Sequence, residues 1–363
     1  MATSYGNNLK ISIYGGSHDE RIGVKLTGFP AGFQADLDAL QKFLARRAPG
    51  NSDLATPRKE ADEPVFLSGL TDGVTDGNEL HAVIYNTNTH SKDYSFIYDT
   101  PRPGHADFAA LMKYGNAVDL RGGGHFSGRL TAPLCIAGGL AKQYLAAHGI
   151  SVGAHVASIA DVRDARFGTD VGTEELAHLE MMPFPLLDES KEEAMRERIV
   201  TARAEQDSVG GVVECAVVGL PAGLGEHMFS GVESRIAALA FSVPAVKGVE
   251  FGAGFAASEM RGSENNDPFR TDGKRVFTTT NNAGGILGGM TTGMPLVFRT
   301  AFKPTPSIAR EQDTVSLSKM ENAKLSVKGR HDPCVVLRAV PVIEAVAALA
   351  VLDLLLDPDT KEV

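Results

Sequence analysis

Apolar residues recur along this chain in two rhythms. Short apolar or alternating runs fall at Lys10 to Tyr14, Val65 to Leu67, Leu80 to Asn86, Gly211 to Val218 and Pro295 to Phe302, mostly with glycine at one or both ends, and each predicts a β-strand. Within Gly211 to Val218, Val213, Cys215 and Val217 alternate with Val212, Glu214 and Ala216, so one face is apolar and the other only partly polar. Helical spacing appears between these runs. Leu37, Leu40 and Leu44 share one face of a helix that Asp36 is placed to cap and Pro49-Gly50 to end. Met195, Ile199 and Ala202 do the same in a charged, solvent-facing helix.

Two segments are apolar nearly all round. Thr131 to Ala147, rich in Ala, Leu and Gly, predicts a helix enclosed between layers. Val335 to Leu356 is interrupted by Arg338, Pro341, Glu344 and Asp353, each costly in a bilayer, and so predicts a buried helix, not a membrane span. Regular crossover helices do not separate the strands, which favours a layered α+β fold over a doubly wound parallel sheet. Gly73-Val-Thr75-Asp-Gly77-Asn-Glu-Leu80 resembles Gly289-Met-Thr291-Thr-Gly293-Met-Pro-Leu296, each a turn leading into a strand, so two similar halves are expected to share one core. With no linker or low-complexity tract, the expectation is one continuous domain over 1–363.

Composition narrows the partners. At 363 residues and 43% hydrophobic, the chain can bury a sizeable core. Its formal net charge of -10 argues against a nucleic acid or an anionic membrane, so arginines that serve a site must be gathered locally. Cys135, Cys215 and Cys334 sit in apolar surroundings without CxxC spacing, which argues against a disulfide framework or a zinc site and for a reducing compartment. Met1 to Lys10 is polar and lacks the apolar stretch of an export signal, so a cytoplasmic location is expected.

Candidate chemistry gathers at glycine-rich and proline-rich turns. Gly15-Gly16-Ser17-His18 follows a strand and presents His18 at its end; a tight turn with an incidental histidine accounts for the same residues. Pro101-Arg102-Pro103-Gly104-His105-Ala106-Asp107 fixes His105 just before a helical segment, either beside an anion at backbone N–H groups or as a capping residue. Imidazoles titrate near ~6.5, which suits acid–base work at cellular pH. Arg121-Gly-Gly-Gly124-His125-Phe126-Ser127-Gly128-Arg129 places a glycine turn between two arginines, as anion cradles often do. A second such turn runs through Asn281, Asn282, Gly284, Gly285, Gly288 and Gly289. Lys303-Pro304-Thr305-Pro306-Ser307 adds a cation and two hydroxyls after a strand, fit for a terminal phosphate or for a plain turn.

Arg46 and Arg47 lie at a helix C-terminus, where the helix dipole alone favours cations. Thr56, Arg58, Glu60 and Asp62 follow in the next loop. Gly329-Arg330-His331-Asp332-Pro333-Cys334 packs cation, imidazole, carboxylate and thiol ahead of the C-terminal helix, without the partner ligands that a metal site needs. Gly252-Ala-Gly254-Phe-Ala-Ala257 matches a dinucleotide fingerprint, but Gly262 and the polar run Ser263 to Asp267 break the helix that must follow it. No Walker A pattern occurs.

In chain order, GGSH, RRAPG, T-x-R-x-E-x-D, RPGHAD, KYG, RGGG, DSVGG, PAVKGVEFG, GSENND, NNAGGILGG, KPTPSI and GRHDPC-x-x-x-RAVP resemble the chorismate synthase family over almost the whole chain. The resemblance implies a lyase of the shikimate pathway, serving aromatic amino acid biosynthesis, that converts 5-enolpyruvylshikimate-3-phosphate to chorismate by anti-1,4-elimination with reduced FMN. It implies a β-α-β sandwich, with helices between two antiparallel sheets, assembled as a homotetramer. By position, His18 matches the histidine that protonates the departing phosphate, His105 the one near the flavin ring, and Asp332 the carboxylate that assists flavin N5. His125, Phe126, Ser127, Glu264, Asn265, Gly288, Lys303, Pro304, Thr305, Pro306, Ser307 and Arg330 match FMN positions. Arg47 matches a residue for the anionic substrate or NADPH, with Arg46, Arg129 and Arg338 expected nearby.

The sequence departs from the commoner family pattern at Asp19 for a glycine, Ala48 for an arginine, Pro306 for a serine, and His125-Phe126 for Arg-Ser. These changes touch flavin and anion contacts and put an intrinsic NADPH:flavin reductase activity in question. Two other readings remain: an NADPH-dependent flavin oxidoreductase, which would consume NADPH stoichiometrically, and a non-catalytic flavin or phospho-ligand module, which would bind without turnover.

Overall fold

A computed structural model describes residues 2–50, 54, 60–86, 96–327 and 332–358. Among them, two five-stranded sheets enclose a helical layer, and every strand pair in both sheets is antiparallel. The first sheet runs in the order Ala2–Tyr5, Lys10–Tyr14, Arg21–Thr27, Leu80–Tyr85, Val65–Ser68. The second runs Val246–Phe251, Leu296–Phe302, Gly211–Val218, Ser151–Ile159, Val162–Arg163. The fold is α+β with helices sandwiched between antiparallel sheets, as the sequence led us to expect.

The two apolar helices fill the middle. Thr131–Ala147 lies against the first sheet and Val336–Leu355 against the second, and each packs on the other. Their contact depends on a missing side chain: a Cβ on Gly138 would stand 2.2 Å from the Cβ of Ala345. The adjacent Gly139 serves another neighbour, since its Cβ would fall 2.5 Å from Leu40 Cδ1 on the Leu37–Arg47 helix. Successive glycines thus let one helix approach two partners on different sides. Asp36 caps the Leu37–Arg47 helix by accepting from Ala39 N at 2.9 Å, and its buried face is Leu40, Phe43 and Leu44, while Leu37 stays 40% exposed. Val336–Leu355 is buried along nearly its whole length, and no helix among the described residues is long and apolar enough to cross a membrane.

The halves repeat each other. Strands 10–14, 21–27, 80–85 and 65–68 of the first sheet stand in the same order as 151–159, 211–218, 296–302 and 246–251 of the second. Gly28-Phe-Pro30-Ala-Gly32-Phe33 leaves one sheet as Gly219-Leu-Pro221-Ala-Gly223-Leu224 leaves the other. Thr75 Oγ1 donates to Pro30 O at 2.7 Å and accepts from Phe33 N at 3.0 Å. Thr291 Oγ1 donates likewise to Pro221 O and accepts from Leu224 N at 2.9 Å. Gly32 N and Gly223 N each reach their threonine's carbonyl at 2.7 Å. The Gly73–Leu80 and Gly289–Leu296 likeness therefore marks matching turns.

The outer faces differ. The partly polar face of Gly211–Val218 is buried, because the Thr173–Met181 helix lays Leu176 and Leu179, with Val171, on Ala216, Val218 and Val297. On the first sheet, Lys10, Arg21, Val65 and Tyr85 stay exposed.

Candidate active site

The site is built on residues 121–131, which lead into the first buried helix. Gly122, Gly123 and Gly124 take φ of 58°, 93° and 52°, a left-handed run closed to most residues with a Cβ. The end of the Lys10–Tyr14 strand docks on that turn. Ser17 N donates to Gly124 O at 3.2 Å, Ser17 Oγ donates to Arg121 O at 2.9 Å, and His125 Nδ1 lies 2.9 Å from Gly15 O. A Cβ on Gly122 would fall 2.5 Å from His18 Nδ1, and one on Gly123 would fall 3.3 Å from His105 Nε2. Both imidazoles, 87 residues apart in sequence (105 minus 18), thus face one glycine turn that any side chain would crowd.

His105 is anchored from behind. Its Nδ1 lies 2.6 Å from Asp107 Oδ1, and Asp107 is fully buried. Arg102 holds the same carboxylate through Nε at 2.7 Å, Nη2 at 2.8 Å and its backbone N at 3.0 Å. Burial alone would raise the Asp107 pKa, but hydrogen bonds from Arg102 and His105 outweigh it and hold the carboxyl well below the usual range.

A guanidinium cluster adjoins the turn. Arg47, from the last turn of the Leu37–Arg47 helix, donates through Nε to Thr131 Oγ1 at 3.0 Å and pairs with buried Asp62. Arg129 pairs with Asp62 and with Glu60 at 3.1 Å, and reaches Asn86 Oδ1 at 3.2 Å. Arg338 Nε donates to Arg47 O at 2.9 Å, and its guanidinium pairs with Asp332. Burial would push the Asp62 carboxyl up, yet Arg47 and Arg129 bring it below its ordinary value. Burial in turn lowers Arg129 and Arg338, partly countered by Asp62 and Asp332. Three cations facing three carboxylates leave little net charge here, so an incoming polyanion would compete with Asp62, Glu60 and Asp332 for the guanidinium donors.

Arg46 does not join them. Adjacent helical residues point about 100° apart, and its guanidinium instead grips fully buried Glu344 at 2.9 and 2.6 Å, beside Lys142 and Glu180. A cleft of about 250 Å³ opens along Lys42, Arg46, Leu54, Met182 and Arg338; it shares Arg338 with the cluster, and neither His18 nor His105 lines it.

The Lys303–Ser307 loop meets the His105 loop. Lys303 Nζ donates to Gly104 O at 2.8 Å, and Arg102 Nη1 donates to Ser307 Oγ at 3.1 Å. Burial, helped by Lys247, lowers the Lys303 pKa. Thr305 Oγ1 is buried with no hydrogen-bond partner among the described residues, and Pro306 lies beside Gly104. Ser127 Oγ accepts from Arg129 N at 3.2 Å, and Phe126 packs near Tyr114 beside the cluster of Ile97, Leu111 and Leu120.

Glu264, Asn265 and Gly288 hang on the second half. The Gly262–Asn265 helix is bonded to Arg261 and Asn282, and Gly288 turns the Ile286–Leu287 and Met290–Thr291 hairpin. Pro304 is exposed between Lys303 and Thr305. Arg330 lies outside the described residues, as do Thr56, Arg58 and His331. The sequence reading passed over the roles of Arg102 and Asp107; the one available signal was a carboxylate two residues beyond His105 at a helix start.

Fold and site define a class: an α+β enzyme whose two imidazoles and local guanidinium cluster suit proton transfer on a polyanion. The chorismate synthase family profile matches residues 9–356, and the chain belongs to the chorismate synthase family. A chorismate synthase of Lancefieldella parvula is 47% identical over 98% of this chain and 96% of its own length. One of Thermococcus kodakarensis is 47% identical over 97% of both. A crystal structure of chorismate synthase superposes with a TM-score of 0.76 at 28% identity, covering 97% of this chain and 93% of that one.

Proposed function

We propose that this protein converts 5-enolpyruvylshikimate-3-phosphate to chorismate and inorganic phosphate by anti-1,4-elimination in the presence of reduced FMN. The observation that carries the reading is the convergence of His18 and His105 on the Gly122-Gly123 turn beside Arg47, Arg129 and Arg338. The substrate carries a phosphate and two carboxylates, which the guanidinium groups suit as charge-assisted donors. His18 supplies a proton to the departing phosphate, and His105, held from behind by Asp107, presents Nε2 toward the flavin side. Asp332, paired with Arg338, is the third acid–base group.

The residues present fit a flavin phosphate. Thr305 offers a buried hydroxyl with no hydrogen-bond partner among the described residues, two residues along the chain from Lys303 on one side and Ser307 on the other. Lys303, Pro304, Thr305, Pro306 and Ser307 would hold that end, with His125, Phe126, Ser127, Glu264, Asn265, Gly288 and Arg330 as further candidates. When bound, the reduced flavin supplies an electron-rich ring next to the breaking bonds. Within this proposal the chain is one domain, works in the cytoplasm as a homotetramer and takes reducing equivalents from NADPH directly or through another reductase. The outer face of the first sheet, where Lys10, Arg21, Val65 and Tyr85 stay exposed among the described residues, supports assembly.

Anaerobic incubation with the enolpyruvyl substrate and chemically reduced FMN should release phosphate and raise chorismate absorbance together, and oxidised FMN should give neither. Stoichiometric NADPH consumption would move the reading to an oxidoreductase, and tight FMN binding without phosphate release to a binding module.

A further inference from the structure

The anchoring of His105 carries a consequence beyond the assignment of an acid–base histidine. Asp107 is fully buried, and its two oxygens together receive four contacts: Arg102 N, Nε and Nη2, and His105 Nδ1. An ionised carboxylate can only accept, so at 2.6 Å the imidazole Nδ1 must carry the proton and donate it. In the neutral ring the other nitrogen, Nε2, is then the acceptor, and it is the atom that faces Gly123. Arg102 Nη2 also lies 3.1 Å from Nδ1, a donor facing a donor, which is tolerated because both point at the same Asp107 oxygen. Arg102 further bonds Ser307, so one ion pair sets the histidine ring and ties its loop to the Lys303–Ser307 loop.

We infer that Asp107 is a positioning residue for the elimination: it holds the proton of the neutral His105 ring on Nδ1, so that Nε2 is the nitrogen that exchanges protons on the side of the glycine turn, and Arg102 keeps Asp107 ionised and in place. The inference rests on the proposed role of His105 for its catalytic meaning, though not for its structural content. It follows the general logic by which a buried carboxylate orients a working imidazole. Asp107→Asn removes the charge at nearly constant shape, and the amide can then turn either an N–H or an oxygen toward Nδ1.

The test uses the full chain labelled with ¹⁵N-histidine, with the His105 ring signals assigned by their loss in His105→Gln. At pH 8 the wild-type ring should show a protonated Nδ1 and an unprotonated Nε2, and Asp107→Asn should raise the share of the Nε2–H form several-fold. The same variant should lower kcat about 10- to 100-fold with KM within about threefold, while melting stays cooperative. If Asp107→Asn fails to fold, the wild-type spectrum alone decides. A wild-type ring in the Nε2–H form, or a tautomer ratio unmoved by Asp107→Asn, overturns the inference. Failure of the function reading looks different: His105→Gln would keep wild-type turnover even though the tautomer is set as described.

Discussion

The two halves of this molecule share a scaffold and differ in what hangs from it. In each, a strand leaves its sheet through Gly-Φ-Pro-Ala-Gly-Φ, where Φ is apolar, and a threonine from a Gly-x-Thr-x-Gly turn closes it with the same pair of side-chain bonds. The strand order is the same as well. Yet only the first half carries an imidazole at the end of its leading hairpin, because Tyr14 runs into Gly15-Gly16-Ser17-His18 while Ile159 turns at once through Ala160-Asp161 into a short strand. The second half places its polar side chains under cover. His155, Glu214 and Arg299 lie within 6% exposure on the outer face of the second sheet, linked to Asp164 and Glu250. Repeated backbone therefore fixes geometry, and the halves differ in the residues at their strand ends and in which outer face is covered.

The sharpest way to break that contrast is kinetic. His18→Ala and His105→Ala should each lower turnover by ~10² to 10⁴, the usual range for one lost general acid or base, with cooperative melting retained because neither ring belongs to the apolar core. Turnover within threefold of wild type in either variant would remove the first half's claim to the chemistry. A second measurement asks whether the scaffolds are energetically alike. Thr75→Val and Thr291→Val each leave a carbonyl and a backbone N–H short of a partner, so each should cost about 1 to 3 kcal/mol by urea unfolding, with the two values close to each other. A large loss in one and none in the other would make the repeat a likeness of drawing only.

Much of the scaffold is legible in the sequence. Apolar periodicity located both buried helices to within a residue or so, because a segment apolar on all sides can only lie between layers. The Gly73 and Gly289 turns showed the repeat, since positive φ demands glycine at fixed spacing. Ser151–Ile159 went unread as a strand; buried on both faces, it lacks the polar alternation that marks a half-exposed one. At the site, glycine and proline turns pointed to His18 and His105, but nothing local distinguishes Arg46 from Arg47. Which of two neighbouring cations meets Glu344 and which meets Asp62 is decided by helix packing, from partners 298 and 15 residues away.

The smallest expected effect tests whether the covered His155 network of the second sheet is structural alone. Both nitrogens of His155 have carboxylate partners, Asp164 at 2.9 Å and Glu214 at 3.0 Å, so only the doubly protonated ring satisfies both. Burial works against that charge, but the hydrogen bonds the ring donates to Asp164 and Glu214 prevail and raise the His155 pKa above its ordinary value. A histidine raised on folding contributes stability that is fully present below pH ~6.5 and lost as pH climbs through the raised value, at no more than about 1.4 kcal/mol per pH unit for one proton. Asp164 and Glu214, both held below their ordinary values despite burial, act in the opposite direction and lose their contribution on acidification. His155→Gln should therefore be less stable than wild type at pH 6.5, with the gap narrowing toward pH 9, and turnover per folded molecule should not change. Parallel stability curves would show that the ring is not charged in the fold, and a turnover loss at full folding would show that the covered network reaches the site after all.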